Sequence, residues 1–342
     1  MSEITTVVLD AMGGDNAPAA MIDGAIDAIS KEKNVKVILV GIEDVIRKGL
    51  EGKTYNPEQI EIVNATEVIE TAEPPVHAIR RKKDSSIVVG MKLVKEGKAD
   101  AFVSAGSSGA ILVGGQVIVG RIRGVERPPM APLIPTAKGV SILVDSGANV
   151  DSRPSFLVQW AKMGSIYMEN IMGIKNPKVA IVNVGLEEEK GNQLVKETYP
   201  LLKACKDINF IGSIEARNIP NGDADVIVCD AFVGNVILKL YEGTAKMLLS
   251  KVKTTLMSSL KTKIGALLIK NSLSDTMKSF DAKQYGGAPL IGLNGLVVKT
   301  HGNAKAMEVK NSLLQCVKFQ REKVNEKIIA SISAEKLDEA EA

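Results

Sequence analysis

Short apolar runs rich in β-branched residues recur along the chain, and segments with a helical spacing of apolar residues lie between them. The runs cover residues 5–9, 35–40, 60–63, 101–103, 140–144, 178–182 and 226–228. Each run is apolar through its length rather than alternating, which is typical of parallel strands covered on both faces. The intervening helical patterns include residues 86–96, 110–121, 156–172 and 193–204. This alternation predicts a three-layer α/β/α fold around a mostly parallel, doubly wound sheet.

The alternation continues from end to end without a linker rich in Pro, Gly or Ser, so we expect one α/β domain over residues 1–342. A hydrophobic content of 45% and a charged content of 24% exclude a disordered or collagen-like chain. The sequence shows no secretory leader and no apolar stretch of about 18 residues. Its three cysteines lack CxxC spacing, which disfavours disulfides and zinc. We therefore expect a cytoplasmic protein.

Five of the predicted strands end in loops that combine Asp, Asn or Ser with glycine. The loops are DAMGGDNAP (10–18), SAGSSGA (104–110), DSGANVDSRP (145–154), NVGLEEEKGN (183–192) and DAFVGN (230–235). Turn chemistry explains any one of them, because Gly, Asn and Asp are the usual turn residues. In a doubly wound sheet, however, these strand ends meet at one edge, where ligands bind. Their convergence predicts an active site.

Two of these loops lead from a strand into a helix. In SAGSSGA, the amides of residues 106–109 can face an anion such as a phosphate or a thioester oxyanion. The alternative is a plain tight turn, and no Walker A lysine follows. In DAMGGDNAP, Asp15 or Asn16 can cap a helix, while Gly13 and Gly14 allow a ligand to approach the backbone. Neither loop is a dinucleotide fingerprint, and we expect no cofactor.

Basic residues and histidines supply further candidates. The runs Arg80–Lys83 and Arg121–Arg127 are either solvated surfaces or docks for a phosphate or an acidic partner. His301, which lies near Lys299 in a glycine-flanked loop, is either a structural residue or a group for acid–base chemistry or phosphate contact. Cys229 is expected in the core rather than as a nucleophile. Residues 187–189 are expected to be a solvated helix start rather than a metal site.

Residues 243–280 hold seven lysines and only one acidic residue, Asp275. Apolar residues recur there at helical spacing, which predicts an amphipathic helix or two helices hinged near Gly265. Such a segment packs on the core or on a second copy, or it lies on an anionic membrane. The aromatic content of 4% is not interleaved with these lysines, which disfavours nucleic acid binding. The candidate membrane-binding residues are Leu256, Leu260, Ile264, Leu267 and Leu268.

The combined motifs resemble those of the PlsX family, the acyl-acyl carrier protein:phosphate acyltransferases. The stretches that carry the resemblance are DAMGGDNAP, EPPVHAIRRKKDSS, FVSAGSSGA, RPPMAPLIPT, VDSGANVDSRP, NVGLEEEKGN, CDAFVGN and YGGAPLIGLNGLVVKTHGNA. They extend from residue 10 to residue 304, and their joint occurrence is highly specific.

The resemblance implies a fold similar to that of phosphate acetyltransferases and the isocitrate/isopropylmalate dehydrogenase group, with a protruding amphipathic helical hairpin over 240–280. It implies a homodimer held peripherally at the inner face of the cell membrane. The implied reaction converts acyl-acyl carrier protein and inorganic phosphate to acyl phosphate and free carrier, the first step of phospholipid synthesis. The implied downstream partner is the glycerol-phosphate acyltransferase PlsY.

Phosphate can attack a thioester directly, so the site need only hold an anion beside the carbonyl and stabilise the oxyanion. The candidate catalytic residues are Lys299, His301, Asp230 and Asn235. The candidate phosphate- or substrate-binding residues are Asp10, Gly13, Gly14, Asp15, Asn16, Arg80, Ser104, Gly106, Ser107, Ser108, Gly109, Asp145, Asn149 and Asn183. Competing hypotheses are a nicotinamide dehydrogenase of related fold and a membrane-surface scaffold without enzymatic activity.

Overall fold

The computed structural model describes residues 4–279 and 282–341. Residues 1–3, 280, 281 and 342, which the predicted domain includes, lie outside the described residues. The strands in the described part are β1 (Thr5–Asp10), β2 (Val35–Gly41), β3 (Ile60–Asn64), β4 (Ala101–Ser104), β5 (Leu133–Thr136), β6 (Gly139–Val144), β7 (Lys178–Asn183), β8 (Asn209–Glu215), β9 (Val226–Val228), β10 (Ala288–Leu290) and β11 (Leu296–Lys299). Each of the seven apolar runs corresponds to one of these strands, which confirms the strand prediction.

Helices alternate with the strands along the chain. They are α1 (Ala19–Lys31), α2 (Glu43–Leu50), α3 (Pro75–Arg81), α4 (Ser86–Lys95), α5 (Ser108–Gly114), α6 (Pro154–Tyr167), α7 (Gln193–Ala204), α8 (Ala231–Leu256), α9 (Leu260–Leu268), α10 (Lys270–Ser279), α11 (Ala306–Arg321) and α12 (Val324–Glu341). Two of them, α5 and α6, continue into π-helical turns at Gly115–Val119 and Met168–Met172.

The described strands form two mostly parallel sheets rather than the single sheet expected. The first has the order β10-β11-β4-β1-β2-β3 and the second the order β5-β6-β9-β7-β8. In each sheet one terminal strand is antiparallel, β10 in the first and β5 in the second. Both of these strands contain a proline, Pro289 or Pro135, which lacks an N–H to donate to a further strand. The prolines therefore help to end each sheet.

The two sheets meet at these proline-containing edges. The amide of Ala131, just before β5, donates to the carbonyl of Pro289 in β10 at 2.9 Å. One continuous apolar cluster includes buried residues of both sheets, together with Trp160 of α6 and Phe319 of α11. The α/β architecture with helices around mostly parallel strands is thus confirmed, while its division into two sheets was not predicted.

The helices α8, α9 and α10 carry the predicted amphipathic segment. The structure corrects the expected hinge, because Gly265 lies inside α9 and the chain bends instead at residues 257–259. None of the residues of α9 is buried, and Leu260 and Leu268 are 76% and 82% exposed. Leu256, by contrast, is half-buried and lines a groove among these helices. The side chains of Asp275 and Lys278 lie outside the described part.

Among the described residues, we find no helix with the length and apolar content needed to cross a membrane.

Three loops that follow β1, β4 and β11 lie in direct contact. A Cβ atom on Gly14, whose φ is +93°, would lie 2.7 Å from the Cβ of Ala105 and 2.8 Å from the carbonyl oxygen of Gly302. A Cβ on Gly13 would lie 2.7 Å from the amide of Gly106. Because these distances are too short for a real side chain, only glycine permits this approach. The two glycines therefore position the loops that follow β4 and β11.

We expect Gly14→Ala to lower the free energy of unfolding by about 1–3 kcal/mol, since alanine disfavours a positive φ and its methyl group would displace the neighbouring loops. Denaturant unfolding measures this loss. Gly97→Ala is the matched control, because Gly97 also has a positive φ, +69°, but has no atom within 4 Å of a built Cβ. An equal loss in both variants would show that the contact between the loops contributes nothing.

Candidate active site

A cavity of about 450 Å³ lies where the two sheets meet. One part of its wall is polar and is formed by Ser108, Ser146, Asn235, Lys299, Thr300 and His301. Another part is apolar and is formed by Leu112, Met130, Leu133, Ile134 and Leu238. A cavity of this size, with a few convergent polar groups on a mostly apolar surface, is typical of a small-molecule site.

The loops at the strand ends converge on this cavity from both sheets, not along one edge as expected. Ser108 follows β4 and His301 follows β11, so the first sheet supplies both. Ser146 follows β6, and Asn235 lies in the first turns of α8 after β9, so the second sheet supplies those. Three of the five predicted loops, those after β4, β6 and β9, therefore reach the cavity, and the loop after β11 joins them although it was not among the five.

Lys299 is the half-buried cation of the site. Its Nζ donates to the carbonyl of Thr300 and, at 3.5 Å, to that of Ala105. Burial lowers the pKa of Lys299 to about 8, an effect that nearby Glu308, Asp10 and Asp15 partly oppose. A cation that has lost much of its hydration and lies in a cavity is a strong attractor for an anion.

Thr300 lines the cavity but was not predicted as a site residue from the sequence. Its side chain is 98% buried, and no group in the described residues hydrogen-bonds to its Oγ1. Buried hydroxyls are nearly always satisfied, so an exception at a cavity wall points to a ligand. The signal available from the sequence was its position between Lys299 and His301 in one glycine-flanked motif.

His301 links the loop after β11 to α8 and α11. Its amide donates to Oε1 of the buried Glu308 at 2.8 Å, and its Nε2 lies 3.5 Å from Oε1 of Glu242 on α8. The imidazole is 55% exposed. Its ring therefore lies at the mouth of the cavity, where it can exchange protons with solvent and with a bound group.

In the SAGSSGA loop, the prediction that the Gly106 amide faces an anion is wrong, because this amide has a partner inside the protein. It donates to Oγ of Ser104 at 2.9 Å, and that hydroxyl donates to Oδ2 of Asp10 at 2.6 Å. Ser107 caps α5 by accepting from the amide of Ala110. The Gly106 amide is therefore engaged inside the protein. The amides of residues 107–109 have no acceptor among the described residues.

The DAMGGDNAP residues lie behind the cavity wall rather than in it. Burial raises the pKa of Asp10, which accepts from the amide of Met12 and from Ser104. The Asp15 amide donates to the Gly302 carbonyl at 2.7 Å, and Asn16 donates to the carbonyls of residues 303 and 304. These contacts support the loop that follows Lys299 and carries His301.

Asp145 and Asn149 hold one wall together and do not line the cavity. Asp145 accepts from the amides of Met130, Gly147, Ala148 and Asn149, and burial raises its pKa. Asn149 donates to Oδ2 of Asp145 and to the carbonyl of residue 128. The pair thereby joins the loop before β5 to the loop after β6.

Three further candidates also lie outside the cavity wall. Asp230 caps α8 by accepting from the amides of residues 232 and 233. Asn183 donates to the carbonyl of Lys190 and to Ser213 and so closes its own loop. Arg80 is exposed on α3. Asp230 is therefore a helix cap, Asn183 a turn residue and Arg80 a solvated surface residue.

Cys229 and the glutamates of residues 187–189 lie in environments that differ from that of the cavity. Cys229 is buried as predicted, and burial raises its thiol pKa well above the ordinary value, so it is a poor nucleophile. Glu187 and Glu188 form ion pairs with Lys190 and Lys203. Within residues 4–279 and 282–341, no group of three His, Cys, Asp or Glu side chains has an arrangement suited to a metal.

Solved phosphotransacetylases share this fold over nearly the whole chain. One from Streptococcus pyogenes matches with a TM-score of 0.61 at 16% identity and covers 95% of both chains. Another from Staphylococcus aureus matches with a TM-score of 0.59 at 17% identity and covers 94% of both. At such low identity the likeness shows the fold alone, and it agrees with the two-sheet α/β architecture.

Sequence comparison identifies much nearer relatives. The family model described as "Fatty acid synthesis protein" matches residues 5–327. A phosphate acyltransferase from Alkaliphilus oremlandii is 50% identical over 337 residues, covering 98% of this chain and 99% of that protein. One from Clostridioides difficile is 49% identical over 328 residues, covering 96% of both. The chain therefore belongs to the fatty acid synthesis protein family, the PlsX family of phosphate acyltransferases, which confirms the resemblance noted in its motifs.

Proposed function

We propose that this protein transfers a fatty acyl group from an acyl carrier protein thioester to inorganic phosphate, releasing free carrier and acyl phosphate for phospholipid synthesis. The observation that carries the proposal is the cavity itself. Lys299, Thr300 and His301 form a polar wall, and an apolar wall begins at Leu112 and Met130. Phosphate fits the first wall and the acyl chain fits the second. The names of the relatives support the same reaction class.

Phosphate is held by groups that are available at the polar wall. The Lys299 ammonium supplies charge, and the Thr300 hydroxyl, which has no partner among the described residues, supplies a donor. Ser108 lines the cavity at the start of α5, where the helix dipole favours an anion. A dianion that replaces water at these donors is oriented for attack on the carbonyl.

The transfer requires one bond to form and one to break. A phosphate oxygen adds to the thioester carbonyl carbon, and the resulting oxyanion collapses with cleavage of the carbon–sulfur bond. The attacking hydrogen phosphate loses one proton and the leaving thiolate takes one up, and the partly exposed His301 imidazole is the group that carries the proton between them. Phosphate is itself the nucleophile, so no side chain carries the acyl group.

The exposed helices α9 and α10, with the outer part of α8, hold the protein at an anionic membrane surface. The lysines of this segment whose side chains are described are all exposed, and so are Leu260, Ile264, Leu267 and Leu268. Each lysine near an anionic surface contributes about 1 kcal/mol. Leu256 packs among the helices instead and contributes less. We therefore propose a cytoplasmic, peripheral location, which this arrangement supports.

Acyl phosphate is reactive and its acyl chain is apolar, so a membrane location also delivers it to its consumer. We place the glycerol-phosphate acyltransferase PlsY in that role and a homodimer as the working assembly, as the PlsX resemblance implies.

Incubation with palmitoyl-acyl carrier protein and labelled phosphate is the direct test of the reaction. We expect labelled palmitoyl phosphate to appear with an equal amount of free carrier, because one phosphate replaces one thiol. Loss of thioester without labelled product would identify a hydrolase instead. Palmitate trapped covalently on a side chain during turnover would refute direct attack by phosphate.

Lys299→Ala should lower kcat/KM for phosphate by about 10- to 100-fold, since a hydrogen bond to a charged group contributes about 1.5–3 kcal/mol. The pKa of Lys299 is about 8, so the charged form prevails below that pH. We therefore expect kcat/KM for phosphate to fall as the pH rises through about 8 in the wild type.

Lys299→Arg is the matched control for this titration. Arginine stays charged across the accessible range, so the fall in kcat/KM should move to higher pH or disappear. A fall at the same pH in the Lys299→Arg variant would assign the titration to another group.

Leu260→Glu combined with Leu268→Glu should reduce binding to anionic vesicles about tenfold or more, because apolar burial and the cationic surface act together. Sedimentation with vesicles measures the change, and activity on carrier thioester in solution should persist. The control is Leu186→Glu with Leu201→Glu, which alters exposed leucines elsewhere. Unchanged vesicle binding by the first variant would show that these helices pack on the core or on a second copy instead.

A further inference from the structure

A second concave surface, distinct from the candidate active site, gathers arginines. Its volume is about 1000 Å³, and its walls include Arg121, Arg123, Arg127 and Arg153. The chain has nine arginines and thirty-four lysines. Four of the arginines line this one groove, whereas no lysine with a described side chain does. We refer to this surface as the arginine groove.

Arginine binds carboxylates and phosphates with a different geometry from lysine. A guanidinium presents a planar fork of donors that matches a carboxylate or a phosphate in a bidentate way, which an ammonium cannot do. All four arginines are exposed, and none forms an ion pair with an acidic side chain in the described residues. The acidic residues in the groove are Glu126 and Asp151, fewer than the arginines. The groove therefore has a net positive lining, with four guanidiniums against two carboxylates.

The loop that carries Arg123 and Arg127 is held by side chains of α6. Trp160, which is fully buried, donates from Nε1 to the Arg127 carbonyl at 2.8 Å. Gln159 donates to the carbonyl of Gly124 at 3.0 Å and accepts from the amide of Glu126 at 2.9 Å. The loop is thus fixed from below, so its guanidiniums need little reordering to meet a partner.

The arginine groove shares a wall with the candidate active site. Gly147 lines the cavity and the next residue, Ala148, lines the groove. Likewise Arg127 lines the groove and Met130, three residues on, lines the cavity. The Asp145 contacts to the amides of Met130 and Ala148 hold both strips of wall together.

We infer that the arginine groove is the docking surface for the acidic carrier protein that delivers the acyl thioester. This inference rests on the proposed function. A carrier presents its thioester on a phosphopantetheine arm, so a phosphodiester and surrounding carboxylates lie at the base of the arm. Those anions fit the four guanidiniums, and the arm passes over the shared wall into the cavity. Charge complementarity fixes the orientation of the carrier.

The test uses Arg123→Gln combined with Arg153→Gln in the full-length protein. We expect KM for palmitoyl-acyl carrier protein to rise about tenfold while kcat changes little, because docking is weakened and the chemistry is not. With palmitoyl-pantetheine, which lacks both carrier and phosphodiester, the variant should match the wild type. Higher salt should raise KM for the carrier substrate in the wild type and much less in the variant.

Arg47→Gln combined with Arg217→Gln is the matched control, since it removes the same charge from exposed arginines outside the groove. Equal KM values for the carrier substrate in the two double variants and the wild type would overturn the inference. An equal loss with palmitoyl-pantetheine would place the arginines in the reaction instead. A changed oligomeric state would make the groove an interface between copies. No turnover by the wild type with either thioester would refute the proposed function itself.

Discussion

The close approach of three backbone loops is the constraint on which the rest of the site depends. Gly13 and Gly14 let the loop after β1 lie against Gly106 and Gly302, with no room for a side chain between them. The hydrogen bond from Ser104 to Asp10 fixes the same junction from inside. Lys299 ends β11 and His301 lies in the loop thus supported, so their positions depend on residues of the β1 loop that do not line the cavity.

The sequence predicted the strands and several of the helices because their patterns are strong. Runs such as residues 35–40 are apolar throughout, and residues 193–204 match α7 from end to end. The strands that were missed are β5, β8, β10 and β11, and β11 was missed although residues 296–298 are apolar. β5 and β10 contain prolines, and β8 is largely half-buried, so none of them shows the uniform apolar pattern. Because β5 and β10 are the strands at which the two sheets meet, the division into two sheets was not predicted either.

The site was only partly predictable, because the same residue types, Gly, Asn, Asp and Ser, occur both in turns and at ligand contacts. Lys299, His301, Ser108 and Asn235 line the cavity, whereas Asp145 and Asp230 satisfy backbone amides instead. Thr300 was overlooked because a threonine at a strand end carries no special pattern. Its importance appears only when its buried hydroxyl is found without a partner among the described residues. That property depends on packing and cannot be read from a motif.

Helix α8 connects two regions that are otherwise far apart. Its first turns contribute Asn235 and Leu238 to the cavity, and Tyr241 donates to the Pro135 carbonyl. The helix continues for 26 residues, which is about 39 Å at 1.5 Å per residue. The helix is held near one end by these contacts, and its other end lies far from the cavity. A tilt imposed on its outer end, by whatever surface it rests on, would be transmitted to the cavity wall and would change the width of the opening.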